Sequence, residues 1–208
     1  MVDFQSRESR RGHDNEDEES EQAKQAETEP DSSEMDPGEL VAEGSSNGEV
    51  TDEGLGVAVV RVNGEFTVED DRAGAAAIEV LEQEDYEVPT REVVAADYDN
   101  VQQTIGGLVV RDDVDAIVTL GGVGVGPDEV TVEAVRALVE KILPGFGELF
   151  RTIARESNVT GIVRNRTTAG LVDGVPVFCL PETEDAARIG LADIALPELE
   201  ALVAEAGE

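Results

Sequence analysis

The sequence predicts an α/β fold: a three-layer α/β/α sandwich whose mostly parallel sheet is covered by helices on both faces. Two observations predict it. From Gly54 onward, strand-length apolar runs alternate with segments of helical period, the pattern of a parallel sheet with crossover helices. Several of those runs are apolar at consecutive positions, as strands buried on both faces are.

In chain order, "LGVAVVRV" (55–62) reads as a buried strand and "RAGAAAIEVLEQED" (72–85) follows at helical period. "EVPTREVVA" (87–95) is strand-like, "DNVQQTIGGLVVRD" (99–112) reads as the next helix, and "DAIVTL" (115–120) as another short strand. After a glycine-rich stretch, Thr131 is placed to cap a helix whose apolar positions Val132, Val135, Leu138, Val139 and Ile142 share one face. "GFGELFRTIARES" (145–157) reads as helical. Two further strand-like runs flank the turn Asp173-Gly174, and two helical segments close the chain.

Residues 1–53 have a different composition, rich in Glu, Asp, Ser and Pro with little to bury, so they are expected to form a disordered acidic tail ahead of a domain at 54–208. The formal net charge is −33, with 48 Asp and Glu against 15 Lys and Arg; only Lys24 and Lys141 are lysines. Self-repulsion on this scale is relieved by molar salt, which points to a halophilic cytoplasm and argues against nucleic-acid or anionic-membrane partners. No apolar run reaches the length of a membrane span, and no signal-peptide core is evident, so a cytoplasmic location is expected. The single cysteine, Cys179, sits in an apolar run and is expected to pack in the core; the single histidine, His13, lies in the tail. One His and one Cys cannot build a zinc or copper site of usual composition, leaving a hard cation such as Mg²⁺.

The chemistry concentrates in "IVTLGGVGVGPDE" (117–129), where an apolar strand breaks into glycines and ends in two carboxylates. In doubly wound sheets ligands collect at the carboxyl ends of strands, and glycines there let backbone N–H groups approach an anion. The spacing fits neither the Rossmann nor the Walker pattern. Asp128 and Glu129 either hold Mg²⁺ beside a phosphate or favour the positive end of the following helix.

"LGGVGVGPDEVTVEAV" followed by "LPGFGELFR" resembles the MoaB/Mog-like proteins of molybdenum-cofactor synthesis. The matching residues are Gly121, Gly122, Gly124, Val130 and Thr131, then Pro144, Gly145, Phe146, Gly147 and Glu148. Downstream, "NRTTAGLVDGVPVFCLP" matches at Arg166, Ala169, Gly170 and Pro181; upstream, "EDDRAG" matches at Asp71 and Gly74. The resemblance spans about residues 54 to 203. It implies a MoaB/Mog-like fold, molybdopterin as ligand, transfer of AMP from Mg-ATP to the pterin's terminal phosphate in active members, and a trimeric or hexameric assembly. It also implies site residues: Glu129, Asp97 and Asp71 for catalysis; Glu129 and Asp128 for metal; and Gly121, Gly122 and Gly124 with Thr131, Pro144, Gly145, Phe146, Gly147, Glu148, Arg166, Pro181 and Thr183 for the ligand.

Five positions depart from the family pattern. The first-strand exit reads Asn63-Gly64-Glu65-Phe66, without the family's acid and arginine. Val123 replaces a threonine, Glu129 an aspartate and Ala96 an acid beside Asp97, while the last loop reads Pro181-Glu182-Thr183-Glu184. These departures imply a divergent member whose adenylyl transfer is weakened, lost or altered. The remaining readings are an intact adenylyltransferase and an interaction module that keeps only the fold. The molybdopterin reading requires that the amides of the glycine bend face an open pocket.

Overall fold

The computed structural model describes residues 54–63, 70–157 and 159–207. The acidic tail, His13, Lys24 and Gly64-Glu65-Phe66 lie outside the described residues. Among the described residues six strands and six α-helices follow one another, alternating as far as α4: β1 (Val57–Val62), α1 (Arg72–Gln83), β2 (Arg91–Val94), α2 (Tyr98–Leu108), β3 (Ala116–Leu120), α3 (Thr131–Arg136), β4 (Lys141–Ile142), α4 (Pro144–Glu156), β5 (Thr168–Val172), β6 (Val175–Leu180), α5 (Glu184–Arg188) and α6 (Leu196–Ala206). The strands form one sheet in the order β2-β1-β3-β6-β5-β4. β2, β1, β3 and β6 run parallel, whereas β5 is antiparallel to both β6 and β4.

Side chains alternate across each strand, so the sheet feeds two cores. Val57 and Val59 of β1 and Val118 of β3 pack beneath α1, α4 and the α5–α6 region with Phe150, Leu191 and Leu199. Ala58, Val60 and Val62 face the other way, with Ile117, beneath α2 and α3. This is the expected α/β/α sandwich, and its parallel half puts the carboxyl ends of β1, β2, β3 and β6 along one edge.

The helix expected from Thr131 to Ile142 is shorter than its periodicity suggested. α3 ends at Arg136, and Lys141 and Ile142 instead pair with Leu171 and Gly170 as an edge strand. Pro144 then opens α4 from Leu143, which lies outside the helical region at φ −105° and ψ 80°. A residue before proline avoids the helical region, so the chain had to leave the helix before this point. The turn Asp173-Gly174 has φ of 48° and 80°, the paired left-handed geometry of a two-residue hairpin, and it sets the β5–β6 register. The two closing helical segments are joined through Ile189–Ala195, a stretch of π-helix.

Cys179 is fully buried on β6, and burial pushes its thiol up to about 11. A buried neutral thiol is a poor nucleophile. Ellman's reagent is therefore expected to leave the native protein unlabelled and to titrate one thiol per chain only after unfolding. Fast labelling of the native protein contradicts this packing.

Candidate functional site

At the edge where β1, β3 and β6 end, the chain leaves β3 through Gly121 and Gly122, both in the left-handed region at φ 104° and 69°. A side chain at Gly121 would put its Cβ 2.7 Å from the Val62 carbonyl oxygen, and one at Gly122 would collide with the Thr131 hydroxyl. Only glycine fits both backbone and surroundings here. Thr131, itself buried, fastens the bend from beneath: its hydroxyl donates to the Gly121 carbonyl at 2.9 Å and its N–H to the Gly122 carbonyl at 3.0 Å. Thr131 therefore does not cap α3 through its side chain. The helix has six residues and no side-chain cap hydrogen bond.

Above the bend lies a cleft of about 410 Å³ lined by Val62, Asn63, Ala95, Ala96, Gly122, Asp128, Glu129 and Glu182. Asp128, Glu129 and Glu182 make its rim acidic. Two amides of the bend are bonded within the chain. Gly121 N–H donates to the Leu180 carbonyl at 2.9 Å, and Gly124 N–H donates to the Glu129 carboxylate at 2.7 Å.

Arg166 runs behind the loop rather than into the cleft. Its Nε donates to the Gly124 carbonyl at 2.6 Å, one terminal nitrogen to the Glu129 carbonyl at 2.7 Å, and the other to the Glu133 carboxylate. The hydrogen-bonded guanidinium holds the Glu133 carboxyl below its ordinary range, so this contact persists at neutral pH and is lost only as pH falls through that lowered value. Arg166 is thus the staple of residues 124–129. Val123 is buried among Val60, Val132 and Val135, pointing away from the cleft. A threonine here would sink a hydroxyl into an apolar core.

The three carboxylates expected to act in catalysis occupy three different settings. Glu129 lines the cleft but is bonded to Gly124. Asp97 caps α2 from an exposed position, accepting from the N–H groups of Asp99 and Asn100 at 3.1 Å each. Asp71 is buried and caps α1, accepting from Gly74 N–H at 2.9 Å and from Arg91 at 3.1 Å, with Arg61 at 3.8 Å. Asp128 is exposed on the cleft rim. No group of three or more His, Cys, Asp or Glu side chains that could hold a metal occurs among the described residues. Mg²⁺ at Asp128 and Glu129 would thus take most of its oxygen ligands from phosphate and water.

The Pro144–Glu148 turn starts α4 near the same sheet edge, two strands beyond β6 in the sheet. Pro144 and Gly145 are exposed, and Phe146 packs on Phe178 with ring centroids 5.0 Å apart. Gly147 lies so close to β5 that a Cβ would be 2.7 Å from the Thr167 carbonyl oxygen, while Glu148 is exposed. Pro181 is buried, and Thr183 caps α5 by accepting from Ala186 N–H at 3.2 Å. Glu184 faces a different hollow, bounded by Arg72, Thr183 and Asp185.

Sequence reasoning missed Arg61. It is buried on β1, where its Nη2 donates to Glu182 at 2.8 Å and its Nε lies 3.8 Å from the Asp71 carboxylate. The signal was present, since Arg61 is the lone charge in the run "VAVVRV".

Comparison with known proteins places the chain in a family. A family model described as "Probable molybdopterin binding domain" matches residues 53–201. The chain belongs to this molybdopterin-binding, MoaB/Mog-like family. It is 32% identical over 142 residues to molybdenum cofactor biosynthesis protein B of Halalkalibacterium halodurans, covering 68% of this chain and 84% of that one. The Bacillus subtilis protein of the same name is 30% identical over 148 residues, with 71% and 87% covered. Among solved structures, a molybdenum cofactor biosynthesis protein B superposes with a TM-score of 0.71 at 31% identity, covering 74% of this chain and 96% of that one. The tungsten cofactor synthesizing protein MoaB of Pyrococcus furiosus gives 0.66 at 28% identity, with 76% and 100% covered. The sequence-based expectation of a MoaB/Mog-like member holds. No helix among the described residues is long and apolar enough to cross a membrane.

Proposed function

We propose that the chain binds molybdopterin in the cleft over the Gly121-Gly122 bend and serves in molybdenum-cofactor biosynthesis, with adenylyl transfer weakened relative to the MoaB/Mog pattern. One observation carries this reading: the bend at the sheet's carboxyl edge is pinned by Thr131 and Arg166 in a conformation only glycine adopts, beneath an open cleft. Left-handed glycine is kept where the backbone must approach a ligand or a neighbour closely. In the transfer itself, a terminal phosphate oxygen of the pterin would attack the α-phosphorus of ATP, forming one P–O bond as the bond to the β-phosphate breaks and pyrophosphate leaves. A protein assists such a step by positioning and charge stabilisation. This cleft supplies those poorly, because its rim is acidic and both Arg166 and the Gly124 amide are bonded within the chain. Asp97 and Asp71 support the helices that shape the site. Mg²⁺, arriving with the nucleotide, would meet Asp128 and Glu129.

The cytoplasmic, salt-adapted setting and an assembly of three or six copies belong to this proposal, as does a solvating acidic tail. The non-catalytic reading is favoured by one observation, the burial of Val123. In molar KCl with Mg²⁺ and ATP, the protein is expected to quench molybdopterin fluorescence on binding and to release pyrophosphate much more slowly than a MoaB/Mog relative under the same conditions. Equal rates contradict the weakened chemistry. Absence of pterin binding removes the proposal and leaves the fold as an interaction scaffold.

A further inference from the structure

Helix α4 separates two surfaces that differ in shape and in charge. On one flank, Phe146, Leu149, Ile194 and Leu202 line an apolar hollow of about 230 Å³ whose wall also holds Glu198 and Glu205. No basic residue lines it, and Leu149 is 53% exposed. On the other flank, Arg151 and Arg155 bound a depression with Thr152, Glu156 and Ile162. Ile162 opens a 3₁₀ turn, Ile162–Arg164, that follows Gly161 at φ 81°. The turn puts Val163 fully into solvent, 99% exposed, with Arg164 exposed beside it. Arg151, Arg155 and Arg164 have no ion-pair partner among the described residues, in a chain of net charge −33. Leu149 and Arg151 stand about 200° apart around the helix, so the two surfaces lie on opposite flanks.

We propose that these surfaces are the two halves of one contact between copies of this chain: Val163 of one copy enters the hollow of the next, and the arginines around it meet Glu198 and Glu205. Charge selects the occupant. A chain this acidic repels its own copies except where a basic face meets an acidic one, and the three arginines bring the basic face to the exposed valine. Burial of the valine and of Leu149 supplies the attraction, while the charges fix which way round the copies approach. Salt that screens the general repulsion leaves the apolar part in place. Because the two halves are different surfaces, the contact is heterologous, and copies join head to tail as in a cyclic ring rather than pairing about a twofold axis. The inference gives the assembly proposed above its surface, and it does not depend on what the cleft binds.

Sedimentation equilibrium of the full-length protein in molar KCl tests it. The parent is expected as an oligomer, and Val163→Asp and Leu149→Asp each as a monomer, since either change sets a carboxylate in the apolar contact near Glu198 and Glu205. Both positions are exposed, so both variants should fold with the parent's circular dichroism. Mixing the two variants gives the sharper result. The Val163→Asp protein keeps an intact hollow and the Leu149→Asp protein keeps an intact valine, so together they should form a one-to-one dimer that cannot extend further. An oligomer that Val163→Asp leaves intact, or a mixture that stays monomeric, overturns this contact and keeps the assembly. A monomeric parent overturns both and leaves the hollow to a partner of different chemistry.

Discussion

Replacing Gly122 with alanine is expected to destabilise the protein by about 3 kcal/mol or more, because two penalties combine. An L-residue held at a left-handed φ costs about 1–2 kcal/mol, and the new methyl adds a packing clash worth about 1–3 kcal/mol. Here φ is 69°, and the methyl would collide with the Thr131 hydroxyl, which is buried and bonded to Gly121. That hydroxyl cannot yield without giving up the hydrogen bond that pins the bend. Gly145→Ala is the control: nothing lies within 4 Å of where its Cβ would be, and it sits in the first turn of α4. Chemical denaturation should show Gly145→Ala near the parent and Gly122→Ala far below it. Similar midpoints for the two variants contradict the described bend.

Asp71→Ala is expected to cost about 3–5 kcal/mol, the range for stripping one partner from a buried ion pair. Its side chain is 1% exposed, caps α1 through Gly74 and faces Arg91 and Arg61. Asp97→Ala provides the comparison, since Asp97 is also an N-cap but an exposed one with no cation beside it among its described contacts. Loss of an exposed cap costs about 1 kcal/mol. If Asp71 acted mainly in chemistry, its removal would lower turnover while leaving the unfolding midpoint in place. A large drop in stability is the outcome the geometry requires.

The fold was legible because its signals are local. The run Val57–Val62, apolar except for Arg61, declares a strand buried on both faces, and Asp173-Gly174 declares a hairpin. The end of α3 was not legible from periodicity, because Leu138 and Val139 continue the apolar spacing although the helix stops at Arg136; Pro144 carried the information instead. At the site, sequence identified the residues around the bend but not where their polar atoms point. The resemblance implied Arg166 as a ligand residue, and it is a staple on the loop's carbonyl groups; Thr131 looked like a helix cap and holds Gly121. Both orientations depend on which backbone carbonyls the fold leaves without partners, a tertiary property. Glu182, one of the departures from the family pattern, is bonded to Arg61, which the sequence reading did not single out.

Amide hydrogen exchange with and without molybdopterin tests the central claim most directly, since it reports where the ligand sits. Protection is expected at residues 121–129 and at Asn63, Ala95 and Ala96, the residues around the acidic cleft. The apolar hollow of about 230 Å³ between α4 and α6, lined by Leu143, Leu149 and Leu202, should stay unchanged. Protection confined to that hollow, or none around the bend when the pterin is bound, would contradict the account.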